Sequence, residues 1–249
     1  MEAIIAALDE QQAELDGLLA ALDDSDWLTP TRCPGWSVAD VVLHLAQTSE
    51  LAAATGNDSF GKRFSEFMPA DARTVDEGAE RAVVAERGAG TTQLLQRWQA
   101  AATAQRQLFA ASDPSRRLPW VIGELRARTL LTTRLSELWI HTADIADAVG
   151  ITLVPTDRLW HIARLAWRTL PYAFARAGEV LHGPIAVELT GPSGARWSFG
   201  ANDHPLTIVR GSGWEFCLVA ARRLDPAKTQ LTATGSDAGQ VLKLVRTYA

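Results

Sequence analysis

The stretch Glu137-Leu138-Trp139-Ile140-His141-Thr142-Ala143-Asp144 lies within a helical pattern that runs from about 126 to 149 and stops at Gly150, a residue suited to a helix C-terminus. At about 100° per residue, Glu137, His141 and Asp144 fall on one stripe. Leu131, Leu135, Leu138, Ile145 and Val149 form a separate apolar face, and Trp139 and Ile140 extend apolar surface around the other side of the stripe. A helix that is apolar on more than one side belongs inside a bundle. Its ionisable stripe then faces a cavity rather than bulk water, where unpaired charge is costly unless a metal or a partner compensates it.

Working outward, residues 2 to 22 carry Ile4, Ile5, Leu8, Leu15, Leu18, Leu19 and Leu22 at helical spacing and end at Asp23-Asp24-Ser25. A loop with Pro30 and the Cys33-Pro34-Gly35-Trp36 turn follows. Ser37 then stands as an N-cap with Asp40 three residues on, opening a helix through Val41, His44 and Leu51. Glycines and Pro69 break residues 56 to 90 into short pieces with one helix around 74 to 87. A long helix at 91 to 111 is separated from the one at 126 to 149 by Asp113-Pro114 and Pro119, and another runs from Asp157 to about Ala177.

After Gly183-Pro184 the texture changes. Ile185, Val187 and Leu189 alternate, Pro192-Ser193-Gly194 turns the chain, and Trp197 and Phe199 alternate again, as in a β-hairpin. Strands at 206 to 209 and 230 to 234 and helices at 213 to 224 and 237 to 248 complete the pattern. The expected class is α+β: an up-down helical bundle over 1–180 followed by a small α/β domain over 181–249.

Composition narrows the function. The 249 residues are 47% hydrophobic and 21% charged, as in an ordinary globular protein, and the net charge of -5 comes without a basic patch, which argues against nucleic acid and anionic membranes as partners. With neither a leader nor a long apolar span in evidence, the expected location is the cytoplasm. Cys33 and Cys217 form no CxxC, so neither a disulfide framework nor a thiolate zinc knuckle is expected, and Cys33 reads as an ordinary thiol.

His44 shares a stripe with Val41, Thr48 and Leu51, and so faces the bundle interior opposite the Glu137/His141 pair. Two imidazoles and one carboxylate suit a divalent metal, zinc first, in its catalytic form, with a position left for water or a substrate thiol. A Glu and a His four residues apart are more often a solvated pair, so spacing alone does not decide the matter. His161, His182 and His204 have no comparable companions.

The segment Thr31-Arg32-Cys33-Pro34-Gly35-Trp36-Ser37-Val38-Ala39-Asp40-Val41-Val42-Leu43-His44-Leu45 resembles the entry to the second helix in the actinobacterial maleylpyruvate isomerase-like family, among the wider DinB-like metal-binding bundles. Glu137 to Asp144 resembles that family's second signature. The resemblance implies a DinB-like bundle in which His44, Glu137 and His141 are metal ligands and Asp144 assists the site. It further implies an arginine from the helix at 214 to 223 that holds a carboxylate or an anionic thiol cofactor. Arg222, at the edge of the buried stripe, is favoured over Arg223, although Ala221 stands where the family usually has glycine. Arg81 is a further anion-binding candidate that the sequence does not align.

The activity so implied is activation of mycothiol, or a related small thiol, for isomerisation or S-transfer on an electrophilic small molecule, with Asp144 and Arg222 as catalytic residues and Arg222 also toward the cofactor. Two other classes compete: a thiol-independent metalloenzyme (hydrolase, lyase or cyclase) tailoring a secondary metabolite, and a non-enzymatic metal-binding module. Nickel, iron and manganese stay open beside zinc, as does monomer against homodimer. The nine tryptophans, Trp36 and Trp139 among them, suit either the walls of an apolar pocket or a bundle core.

Overall fold

The computed structural model describes residues 1–201 and 204–247 as two compact units, 1–153 and 154–249. The first is built on four long helices: α1 (Glu2–Ala20), α2 (Val38–Ala54), α5 (Thr91–Ala111) and α6 (Ala127–Ala148). Two shorter helices, α3 (Phe60–Phe67) and α4 (Val75–Glu86), and a hairpin of β1 (Arg117–Trp120) and β2 (Gly123–Arg126) fill the connections. Helix α2 packs on α5 and α6, and α1 packs on the same two helices. The core between them is closed by Leu8, Leu15, Val41, Leu45, Phe109, Leu131 and Leu135, all fully buried or within 1% of it.

The local reasons follow the sequence closely at α2. The Ser37 hydroxyl accepts from the Asp40 amide, and the Asp40 carboxylate accepts from the Ser37 amide, so two of the helix's unpaired donors are satisfied reciprocally. Helix α3 was not expected, because Gly56 and Gly61 masked a single aromatic face of Phe60, Phe64 and Phe67. The β1–β2 hairpin was not expected either. Pro119 reads as a loop residue, yet it sits in a two-stranded ribbon, where an absent N–H is tolerated.

In the second unit, α7 (Leu159–Ala177) precedes β3 (Ile185–Thr190), β4 (Arg196–Phe199), β5 (Thr207–Ser212), α8 (Gly213–Ala220), β6 (Thr232–Gly235) and α9 (Ala238–Leu244). The sheet order is β4-β3-β5-β6, with β3 and β5 parallel and the outer pairs antiparallel. Val187, Leu189, Trp197 and Phe199 are buried, as the alternation required. The α+β class is as expected, but the units divide at 153/154 rather than at 180. Helix α7 carries the difference: it buries Leu159, Ile162, Ala166, Leu170 and Phe174 and packs on α8, α9, β3 and β4. A helical period next to a helical bundle does not reveal which core the apolar face serves. The expected last helix stops at Leu244, and position 248, the end of that expectation, lies outside the described residues. Among the described residues no helix is long and apolar enough to cross a membrane.

Candidate metal centre

The turn before α2 fixes the first part of the site. The Thr31 amide donates to the Trp36 carbonyl, the Trp36 amide donates to the Cys33 carbonyl, and Pro30 bridges Ser37, with Gly35 at φ 79° allowing the reversal. Cys33 and Trp36 are thereby held beside the start of α2, and His44 follows on its buried face. Helix α6 supplies Arg134, Glu137, His141 and Asp144 at spacings of three and four.

The two helices bring the expected donors together. His44 Nε2 lies 3.0 Å from Glu137 Oε1, and the His44 and His141 rings meet edge-on with centroids 5.2 Å apart. One ligand atom from each of His44, Glu137 and His141 lies within 4.8 Å of the others. Metal–ligand bonds of about 2.0–2.1 Å set tetrahedral donors about 3.3 Å apart, so this group needs only a small contraction to share one ion. The side chains of His44 and His141 are 9% and 12% exposed and that of Glu137 is 29% exposed, so the set is enclosed but opens at the carboxylate.

Arg134 was missed by the sequence reading. It is 1% exposed, and its guanidinium donates to Glu137 Oε2 at 2.5 Å, to Gln105 Oε1 at 3.1 Å and to Thr48 Oγ1 at 2.8 Å. One carboxylate oxygen of Glu137 is thus held by arginine while Oε1 remains directed at His44. Burial opposes the charge on Glu137, but Arg134 and the two imidazoles overcome it and hold the carboxyl well below the usual carboxylate range. The signal was present in the sequence, since Arg134 stands one turn before Glu137, but an apolar-looking helix gave no reason to place an arginine inside.

His141 Nδ1 lies 3.1 Å from Asp144 Oδ2, and the Cys33 thiol lies 3.5 Å from the same oxygen and 4.0 Å from Nδ1. A carboxylate behind one ring nitrogen orients the imidazole and leaves the other nitrogen for a metal. Burial alone would lower the His141 pKa; Asp144, then Cys33, outweigh it and raise it to about 9 in the metal-free protein. His44 shifts the opposite way, because its burial outweighs the Glu137 contact, and its Nδ1 is buried without a hydrogen-bond partner among the described residues. Cys33, His141 and Asp144 form a second close group of possible ligands, so His141 belongs to both. The role of Cys33 was not legible, because its partners are more than a hundred residues away.

Trp36 lies over His44 with centroids 5.0 Å apart, and its indole N–H donates to Glu80. Trp139 is 6% exposed and belongs to the bundle core. Arg81 is paired with Asp71 at 2.7 Å and Glu77 at 2.5 Å. His182 pairs with Asp237 at 2.7 Å, and His161 packs edge-on against Trp160.

Arg222 lies in the second unit, at φ 60° just after α8. The Arg222 amide donates to the Val219 carbonyl and the Arg223 amide to the Leu218 carbonyl, the pairing of a helix end that usually carries glycine at the left-handed position. The Arg222 guanidinium donates to the carbonyls of Lys243 at 2.7 Å and Leu244 at 3.3 Å, which satisfies the end of α9. Arg223 donates to the Ala221 carbonyl.

Fold and donor set together define a helical-bundle protein with a His-Glu-His candidate metal pocket, joined to a small α/β unit. The family model described as the mycothiol maleylpyruvate isomerase N-terminal domain matches residues 8–146. Two uncharacterized proteins from two strains of Mycobacterium tuberculosis are each 32% identical over 246 residues, covering 98% of this chain and 95% of theirs. The crystal structures of the mycothiol-dependent maleylpyruvate isomerase and of a single-residue mutant of it share the fold, with TM-scores of 0.62 and 0.63 at 16% identity, each covering 94% of this chain and 93% of its own. The chain belongs to the mycothiol-dependent maleylpyruvate isomerase family.

Proposed function

We propose that the protein is a cytoplasmic metal-dependent enzyme that activates a small thiol, mycothiol by family, for isomerisation or S-transfer on an electrophilic substrate. The observation that carries this reading is the convergence of one donor atom each from His44, Glu137 and His141, on two helices far apart in sequence, within 4.8 Å. Two imidazoles and one carboxylate fit zinc with an open position. A divalent ion held there supplies a Lewis-acid position that lowers the pKa of a bound thiol.

The chain's own residues do the rest. Arg134 keeps Glu137 ionised and occupies Oε2, so that Oε1 is the oxygen presented. Asp144 holds the Nδ1 proton of His141 and thereby orients the ring; it is also the carboxylate assigned to carry the thiol proton. Trp36 shields His44 from water. The thiolate sulfur forms a bond to the electrophilic carbon and the double-bond pair moves onto a conjugated carbonyl. After rotation about the resulting single bond the pair returns, the double bond re-forms and sulfur leaves with its electrons. In transfer, the carbon instead takes up a proton and the conjugate departs. Arg222 is kept as the family's candidate for an anionic group of substrate or thiol, although its guanidinium also serves α9.

The test is metal content. Purified protein should hold one divalent ion per chain and His141→Ala none, while calorimetric titration of the loaded protein with mycothiol should give heat. Retention of one tightly held ion by His141→Ala refutes the ligand set. Full loading with no heat from the thiol favours a metalloenzyme that works without it.

A further inference from the structure

Beside the first donor set lies a second one with a different chemistry. Cys33 Sγ is 3.5 Å from Asp144 Oδ2 and 4.0 Å from His141 Nδ1, and those two atoms are 3.1 Å from each other. The three residues form a compact ligand group by themselves. Bonds of about 2.0–2.1 Å from nitrogen or oxygen and about 2.3 Å from sulfur set tetrahedral donors about 3.3 Å and about 3.6 Å apart, so no separation here has to change by more than about half an ångström. The thiol is held in place: the Cys33 amide donates to Thr31 Oγ1 at 3.2 Å, and its carbonyl accepts from the Trp36 amide at 3.0 Å. Asp144 is 1% exposed while Cys33 is partly exposed, so an ion enters from the sulfur side.

Charge and softness separate the two sets. A thiolate and a carboxylate together neutralise a divalent cation, and a neutral complex is the cheapest one to bury. His44, Glu137 and His141 supply one negative charge, and the Arg134 guanidinium on Glu137 Oε2 adds a positive one. Thiolate sulfur favours soft ions, whereas imidazole and carboxylate suit borderline and harder ones. His141 is common to both groups, and a neutral imidazole has one free lone pair, so a ring that binds an ion through Nδ1 carries its proton on Nε2.

We propose that Cys33, His141 and Asp144 are an alternative site for a thiophilic divalent cation, and that an ion held there excludes one from the His44, Glu137, His141 set. On binding, the thiol proton passes to solvent and His141 keeps a single proton, on Nε2. The site stands on its own three donors; only the exclusion rests on the functional reading above, which also loses Asp144 as a proton carrier when the ion takes its carboxylate.

Metal-free full-length protein is titrated with cadmium chloride alone, followed by the ultraviolet cadmium–thiolate charge-transfer band, with bound cadmium measured on the same sample. One ion per chain carrying the band is expected. The other cysteine, Cys217, is fully buried with its thiol donating to the Leu159 carbonyl, so the band reports Cys33. Cys33→Ser should lose the band and bind cadmium roughly a hundredfold more weakly, whereas His44→Ala should keep both band and affinity. Cadmium should also protect Cys33 of the wild type from iodoacetamide, read by mass spectrometry, a measurement that depends on no variant folding. Zinc loaded beforehand should leave as cadmium binds. Cadmium bound without the band, unprotected Cys33, weaker cadmium binding in His44→Ala, or zinc and cadmium held together on one chain overturns the proposal. Zinc binding that persists in Cys33→Ser when His44→Ala is added refutes the first ligand set instead and leaves the thiol site standing.

Discussion

Replacing Arg134 by Met separates what the scaffold does from what an ion does. In the metal-free protein the substitution strips Glu137 of its guanidinium and leaves Gln105 and Thr48 without a donor. Breaking a buried ion pair from one side costs about 3–5 kcal/mol, and the lower end applies because Glu137 keeps 29% of its side chain exposed. About 3 kcal/mol in a chain of this length corresponds to a fall in Tm of roughly 6–12 °C. With metal bound, the ion replaces arginine as the countercharge, and the loss shrinks to about 1 kcal/mol for the two deserted acceptors. Closing the cycle, the folded variant must bind metal about 2 kcal/mol, or roughly 30-fold, more tightly than the wild type. Thermal melts with and without metal, together with competition against a chromophoric chelator, measure all four corners. Equal destabilisation in both states, or weaker metal binding by Arg134→Met, would refute the reasoning.

Four further outcomes are expected. In the metal-free protein the raised His141 pKa contributes stability that is complete below pH 6.5 and is lost as pH rises through about 9, whereas depressed Glu137 contributes above about pH 4.5 and depressed His44 works against folding below 6.5. Tm should therefore decline between pH 7 and 9.5, and His141→Asn should remove that decline; parallel curves would contradict the assignment. Metal loading at pH 7 should also release about one proton, read by calorimetry in buffers of different ionisation heat. Cys33→Ala, by freeing one side of Asp144, should lower metal affinity about tenfold, and Cys33→Ser, which keeps a donor, should restore most of it. Arg222→Ala should lower stability by about 1 kcal/mol through loss of the two carbonyl bonds. Arg222→Gly should recover most of that by relieving the left-handed backbone, worth about 1–2 kcal/mol; a rise in KM for an anionic substrate without a fall in Tm would instead speak for a substrate-binding arginine.

What the sequence disclosed and what it hid have different physical origins. Helix α2 was legible because Ser37 and Asp40 form a local cap, and the Glu137, His141, Asp144 stripe because helical spacing is a property of neighbours in sequence. The meeting of His44 with that stripe needed the family resemblance, since one helix's wheel says nothing about rotation against another. Cys33 and Trp120 reach the site only through folding, and Pro119 and Gly123 resembled a loop more than a ribbon. The place of α7 was hidden for a related reason: the helix from Asp157 to about Ala177 was legible, but which core its apolar face serves is set by α8, α9 and the sheet that follow it.

The tie from Thr48 through Arg134 and Glu137 to His44 joins α2 to α6 through protein groups alone, with no ion needed to hold the two helices together. The pocket is thus a furnished room and not a knot that its occupant must draw tight, unlike small zinc modules whose chains are unfolded until metal arrives. Chelation should leave the bundle standing, and different divalent ions can be exchanged into the same scaffold without refolding it.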